Sequence, residues 1–567
     1  MAAQTPDDIK NQPGQPEGLS MEKRLLMAFL LMGLVLLLTP YLFKPPAPPP
    51  KSTPPAPAPQ ATRAEPVKAP APANPARISA GKEETFAVET ELYRVVFSNR
   101  GAVVRSWVLK KYKDSDGKPL ELVNAAGAAK TSYPFSFDFP NGKAPADLNN
   151  ALFAARPADG GLGVAFEYSD GRVAARKSFL FQRNRYLAEL TSSVSADGKP
   201  VSHVLTWRGG FGDASGFNHP NTLHSLCFDP AANKLIVQQA KAAKNGPVSS
   251  FGAYSFAGIE DSYFTAVVLP LGQSPFEVRT FSDQVSPTAG AAGVAFLGVG
   301  MGGSGENRFS LFVGPKDVGI LRGVNPKLEQ VVDFGWFSII AKPLFLALNW
   351  VNNRWVHNYG WSIVVVTIII NFLLLPLKFS SLKSMKKMQL LQPQIAAINE
   401  KYKGIGLRDP RKAEQNQEIM ELYKKHGVNP MGGCMPMVLQ IPFFFAYYKV
   451  LTVAIEMRGA GWLWVTDLSQ PEHIPIRILP VTMIVTQFIM QKMTPSTTAD
   501  PTQQRMMLMM PLVLGFMFYG MSSGLVLYWL TGNVVGIAQQ WFFNRQAAPL
   551  PAPAPAPKAR TRKAVRK

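Results

Sequence analysis

Residues 366–389 read VTIIINFLLLPLKFSSLKSMKKMQ. The stretch opens as an apolar membrane helix. It then sets Asn371 among isoleucines and leucines and leaves through a lysine-rich segment. An amide in hydrocarbon is costly unless it is paired or hydrated. Basic charge at a helix exit fixes the side of a bilayer on which that end lies. Both features together predict a polytopic helical membrane protein with polar groups turned inward.

Composition agrees. The chain has 567 residues and a formal net charge of +21, yet only 17% of its residues are charged and 47% are hydrophobic. A basic soluble protein would carry more charge, so basic loops between apolar spans are the better reading. Cys227 and Cys434 lie far apart, which excludes a disulfide framework or a zinc spacing. His219 and His224 sit in a Gly/Asn/Pro-rich stretch and read as a surface loop, not a metal site. No metal or cofactor is expected.

Outward from the opening stretch, the organisation is as follows. Residues 1–24 form a cytoplasmic N-terminus, and 25–43 (LLMAFLLMGLVLLLTPYLF) form an uncleaved anchor. About 19 residues at 1.5 Å each span ~28 Å, one bilayer core. Residues 44–79 alternate Pro with Ala and form a stiff spacer. From 80 to 330 the pattern becomes that of an all-β sandwich. Alternating runs include GVAFEYS, SHVLTW, YFTAVVLP and RFSLFVG, and an Asn99–Gly101 turn joins two early strands. This region has no nucleophile elbow, P-loop or dinucleotide fingerprint, so no enzyme is expected. Residues 331–357 carry Phe334, Phe337, Ala341, Leu344, Leu348, Val351 and Trp355 on one helical face, an interfacial helix.

Residues 358–545 hold five candidate spans at about 361–380, 434–455, 476–491, 507–521 and 523–543. With the anchor this makes six transmembrane helices. The loop between the first two of these spans has eleven basic and five acidic residues over 378–430, and the 546–567 tail ends KARTRKAVRK. Short basic segments stay in the cytoplasm, so both termini and this loop are placed inside and the β domain outside. Within the loop, Met385, Met388, Leu391, Ile395, Ile398 and Tyr402 form one stripe, and Ile419, Met420, Leu422 and Tyr423 another. A helical hairpin over 381–430 follows, stopped at Gly404-Ile405-Gly406 and restarted at Asp409-Pro410.

Asn371 falls about 15 Å into its span, with Thr367 one turn before it. Gln440, Gln487, Gln491, Tyr528, Asn533, Gln539 and Gln540 are polar groups of other spans. They either line one polar cavity or join helices by hydrogen bonds. Spacing alone does not choose. Lys449 is placed to snorkel to the outer interface. Methionines crowd the fourth and fifth spans (Met483, Met490, Met493; Met506, Met507, Met509, Met510, Met517, Met521). They suit a surface that meets many apolar partners, or simple gap-filling.

The stretches SIVVVTIIINFLLLPL, SMKKMQLLQPQIAAINEKY, VNPMGGCMPMVLQIPFFFAYY, QKMTPSTTADPTQQRMM and SSGLVLYWLTGNVVGIAQQ, in this order, resemble the YidC family of bacterial membrane protein insertases. The β region resembles that family's supersandwich, a cousin of the galactose mutarotase fold. The resemblance implies a multi-pass inner-membrane protein, not an enzyme. Its core spans enclose a hydrophilic groove that is open to the cytoplasm and to lipid and closed outside. It implies nascent membrane proteins as substrates, and the Sec translocon, the ribosome and the lipid bilayer as partners of a monomer. Carried over by position, Thr367, Asn371, Gln440, Pro442, Pro511, Tyr528 and Trp529 belong to the groove. The cytoplasmic hairpin, with Lys383, Lys386, Lys387, Lys401, Lys403, Arg411 and Lys412, receives substrates. The tail cations Lys558, Arg560, Arg562, Lys563, Arg566 and Lys567 dock ribosomes.

One departure stands out. Where the family usually carries an arginine, this chain has Asn371. Lys378, Lys383 or Lys449 would have to replace it in part, none expected at the same depth, so a groove less dependent on substrate acidity is predicted. A solute transporter or channel is the alternative, but the spans show no internal repeat and no midplane acid pair. Sugar chemistry in the β domain would need a placed histidine and carboxylate, and nothing in the spacing of His203, His219 and His224 fixes one.

Overall fold

The computed structural model describes residues 76–114, 117–140, 142–213, 222–272, 274–285, 294–303, 305–404, 411–428, 435–494 and 501–546. All belong to one compact unit, Pro70–Lys567. The 25–43 anchor, most of the proline spacer, His219, Cys434, the turn at 405–410 and the basic tail lie outside the described residues.

The first half is built from antiparallel sheets. A 10-stranded sheet is accompanied by a 5-stranded and a 4-stranded one. The strand Val173–Phe181 shows why they stack. Val173, Ala175, Lys177, Phe179 and Phe181 alternate with more exposed neighbours and face one side. Register then carries this face across the large sheet: Phe179 pairs with Leu190, and Leu190 with Phe309. Phe97 of the 4-stranded sheet packs on Phe179, and Phe276 of the 5-stranded sheet packs on Phe309. Both smaller sheets therefore lie on the same face of the large one, burying Trp107, Trp207 and Phe166 between layers.

Lys177 is the one cation on this inner face of its strand. Its ammonium donates to the carbonyls of Gly101 (3.1 Å), Ala102 (3.0 Å) and Phe135 (2.7 Å). These three residues have positive φ, of 71°, 49° and 67°. A backbone in that region is costly for Ala and Phe, and its carbonyls have left the sheet ladder. The lysine satisfies them together.

The second half is helical: α1 (Ser338–Val351), α2 (Tyr359–Leu373), α3 (Leu375–Lys401), α4 (Arg411–Lys425), α5 (Met435–Val453), α6 (Ile478–Met493), α7 (Pro501–Phe518) and α8 (Ser523–Gln546). Among the described residues no single helix is both long and apolar enough to cross a membrane, but α1 with its π-helical extension and α2 pass that test together, bent by 115°. The bend turns on His357, a left-handed residue (φ 50°). The expected stripe of α1 is partly displaced. Ala341, Leu344, Leu348 and Val351 are buried, but the helix widens to a π turn at Asn352–Val356 and leaves Trp355 58% exposed.

The sequence predicts one helix over 361–380. The structure instead ends α2 at Leu373 and restarts at Leu375. Pro376 explains the break. It cannot donate to Phe372 O, and Leu374 N–H takes that carbonyl as well as Ile370 O. The α3–α4 hairpin closes on Met388, Leu391, Ile395 and Val428, with Ile419, Leu422 and Tyr423 against them. Met420, expected in that stripe, is 46% exposed.

Candidate functional site

The break after α2 creates the site. The last carbonyls of a helix have no intrahelical donor. Here Gln539 of α8 donates its Nε2 to Asn371 O at 3.3 Å. Asn371 donates its Nδ2 to Thr367 O, at 2.8 Å, and its Oδ1 is left to accept. Lys378, one turn beyond the break, donates its Nζ to that oxygen at 2.5 Å and lies 3.4 Å from Gln539 Oε1. A cation thus rests between two neutral amides, one from each flanking helix.

The seam continues outward. Thr367 Oγ1 donates to Ile363 O (2.6 Å) and meets Tyr447 Oη at 3.2 Å. Tyr447 stacks on Tyr528 with centroids 4.0 Å apart. Gln440 Nε2 donates to Tyr528 Oη at 2.5 Å. Thr367, Asn371 and Tyr528 are buried and Gln440 is half-buried. Three helices, α2, α5 and α8, are tied into one polar line that ends at the ammonium.

Not every polar residue joins it. Asn533 donates to Met483 O and Thr486 Oγ1, both at 3.3 Å, clasping α8 to α6. Trp529 Nε1 donates to Gln487 Oε1 at 3.1 Å, with its rings against Phe444 and Phe518. In both groups the polar side chains join helices by hydrogen bonds, the second of the two readings that the spacing left open. Pro442 is half-buried on α5, close to Gln440 in sequence. Pro511 is buried on α7, away from the seam. There Gly515 meets Ile484 so closely that a Cβ would fall 2.2 Å from its Cγ1. Around Pro511, Leu512, Val513 and Phe516 are exposed and apolar, Phe516 at 87%.

Among the hairpin cations, Lys401 pairs with Glu418 (3.0 Å) and Lys403 with Glu400 (2.8 Å). Lys383, Lys387 and Arg411 are exposed and Lys386 is half-buried. The side chain of Lys412 and all six tail cations fall outside the described residues. Lys449 runs along Gly335 ahead of α1, where a Cβ would come within 3.2 Å of its Cε.

His203 is part of the packed interior of the β domain. It is fully buried, with Nδ1 at 3.0 Å from Val201 O and Nε2 at 2.8 Å from Ser192 Oγ and 3.0 Å from Asn307 Nδ2. A proton on Nδ1 and a bare Nε2 satisfy all of these, so the ring is neutral. Burial pushes its pKa down to about 4.

Two members of the seam needed the structure. The sequence does not place Lys378 level with Asn371, and it passes over Tyr447 altogether. Each lies seven residues from a residue that was singled out, Lys378 from Asn371 and Tyr447 from Gln440. Seven residues is two helical turns, so both share its face. That spacing was the available signal.

Two family models match. One described as 60Kd inner membrane protein covers residues 350–549, and one described as YidC periplasmic domain covers residues 85–347. The chain is 34% identical to the membrane protein insertase YidC of Syntrophus aciditrophicus over 564 residues, 93% of this chain and 100% of that one. It is 36% identical to that of Geotalea uraniireducens over 543 residues, 93% and 99% of the two chains. Among solved structures, it is similar to an active YidC insertase with its first transmembrane domain resolved. That match has 17% identity, a TM-score of 0.35, and covers 82% of this chain and 94% of that one. Both halves match family models, and relatives align from end to end at over a third identity, so the chain belongs to the YidC family of membrane protein insertases.

Proposed function

We propose that this chain inserts nascent proteins into the inner membrane, and that the polar seam of α2, α5 and α8 receives the hydrophilic flank of the client. The observation that carries this reading is the Lys378 ammonium, held by two amides inside a helical bundle. A buried polar line shortens the dry path that a charged flank must cross, lowering the barrier without a nucleotide. The client's own apolar segment supplies the driving force as it leaves water for lipid. Lys378 takes the part of the missing groove arginine: its ammonium reaches the Asn371 amide from two turns away. An acidic flank is therefore attracted, contrary to the weak charge dependence predicted from Asn371 alone.

In this reading the chain has six spans with both termini in the cytoplasm and the β domain in the periplasm. The α3–α4 hairpin meets clients first. The basic tail binds ribosomal RNA in a salt-dependent way. The protein works as a monomer, alone or beside the Sec translocon. The test is photocrosslinking from positions 371 and 528 to a ribosome-stalled nascent chain with one span. Crosslinks from both positions that follow chain length are the expected outcome. Crosslinks from neither would sink the reading.

A further inference from the structure

The segment between α5 and α6 closes the outer ends of two seam helices. Asn358, the N-cap of α2, donates its Nδ2 to Gly461 O at 2.9 Å. Trp462 lies on Gly360 so tightly that a Cβ there would fall 2.3 Å from the indole. At α8, Gly524 N donates to Leu468 O (2.9 Å), and Ser523 donates its N and Oγ to Gln470 O (2.8 Å each). Met457, Trp462, Val465 and Leu468 are all buried. A segment that anchors the N-cap side chain of one helix, takes the first N–H groups of another and packs its apolar side chains against them is a plug.

The same segment is held from the other side. Arg458 leaves it and enters the β domain. Its Nη2 lies 2.5 Å from Asp213 Oδ2 and donates to Lys113 O at 3.0 Å. The guanidinium plane sits over Tyr263 and Phe264, 5.4 and 5.5 Å from their ring centres. The two side chains of the pair are 8% and 2% exposed. Buried ion pairs contribute little net stability, but breaking one by removing a partner is costly, which makes such a pair a specific latch. Arginine suits the place because its plane stacks on rings while its edge reaches a carboxylate.

We propose that the β domain acts as the lock of an outer seal: through the Arg458–Asp213 pair it holds the 455–470 segment over the ends of α2 and α8 and keeps the outer mouth of the core shut. Arg458 is a positioning residue in this scheme and touches no client. The proposal rests on the reading of the helical half as a membrane-embedded insertase core.

The experiment uses the full chain in right-side-out membrane vesicles, with Cys227 and Cys434 replaced by alanine and a reporter thiol introduced by Ser362→Cys. Ser362 is fully buried on α2, just beneath the plug. A membrane-impermeant maleimide is added outside. Labelling is expected to be slow in the parent and at least tenfold faster with Arg458→Gln or Asp213→Asn. It is expected to be slow again in the charge swap Arg458→Asp with Asp213→Arg. Unchanged labelling in both single variants overturns the lock. Hydrogen exchange of the large sheet is read alongside, and faster labelling that appears only where the sheet loses protection also overturns it. Fast labelling in the parent itself would mean that the core is not sealed, a failure of the underlying reading and not of the lock.

Discussion

The Lys378 ammonium lies 2.5 Å from the Oδ1 of Asn371, seven residues earlier in the chain and on the far side of a helix break. Its other partner, Gln539, is also an amide. The charge is held in place without being cancelled, which is what an acceptor for anionic groups requires.

Removing that charge should expose its role. Lys378→Met keeps the length of the side chain. It is expected to slow insertion of a client with an acidic flank about tenfold, the size of one charge-assisted contact at ~1.4 kcal/mol. A client with a neutral flank should stay within about twofold. Equal loss for both clients, in an insertion assay with matched flanks, would make Lys378 a packing residue.

Cancelling the charge in place is a second test. Asn371→Asp sets a carboxylate at bonding distance from the ammonium. The ion pair gained with Lys378 offsets the Nδ2 bond that Thr367 O loses, so thermal stability should stay close to the parent's. Insertion of the acidic-flank client should drop as far as with Lys378→Met. A purely structural seam predicts no loss.

In the β domain, Lys177→Met leaves three buried carbonyls without a donor. Each such group costs about 1–3 kcal/mol, so a loss of roughly 3 kcal/mol or more is expected. The check is urea unfolding of the full chain followed by its β-sheet signal. A shift of less than about 1 kcal/mol would mean that water replaces the ammonium.

Two buried groups give opposite pH dependences. Burial pushes the Asp261 carboxyl up to about 6, although Phe264 and Tyr263 N–H groups bond it. From the ordinary ~3.9 up to that value the folded state binds the extra proton, so this group's contribution falls as pH rises. Burial drives His203 down to about 4, so its contribution is full above ~6.5 and is lost as pH drops towards 4. Asp261→Asn should remove only the first slope and make the sheet markedly less stable at pH 4.5 than at pH 7, by denaturant midpoints. A variant whose two midpoints differ no more than the parent's contradicts the assignment.

Much of this architecture could be read from the residues. The strands GVAFEYS and RFSLFVG lie where their alternation puts them, because a half-buried sheet face demands a period of two. The hairpin stripe of Met388, Leu391 and Ile395 was legible for the same kind of reason, a period near 3.6. What escaped were effects of tertiary context. Pro376 reads as an ordinary helix residue near a span's end until the carbonyl it abandons is counted. Lys378 reads as an exit charge until its four-carbon stem is allowed to turn back. Arg458 sits in a loop and points at a carboxylate 245 residues away in sequence, a pairing that no local pattern carries.

The break at Leu374 has a mechanical side. α3 runs 27 residues, ~40 Å, from that joint to the tip of the hairpin. Lys378 stands only ~6 Å from it, so the helix is a lever with an arm ratio near seven. A rigid tilt that carries the tip ~10 Å shifts the backbone of Lys378 by ~1.5 Å, enough to part a hydrogen bond. A displacement of the hairpin tip is thereby felt, scaled down, at the charge inside the seam.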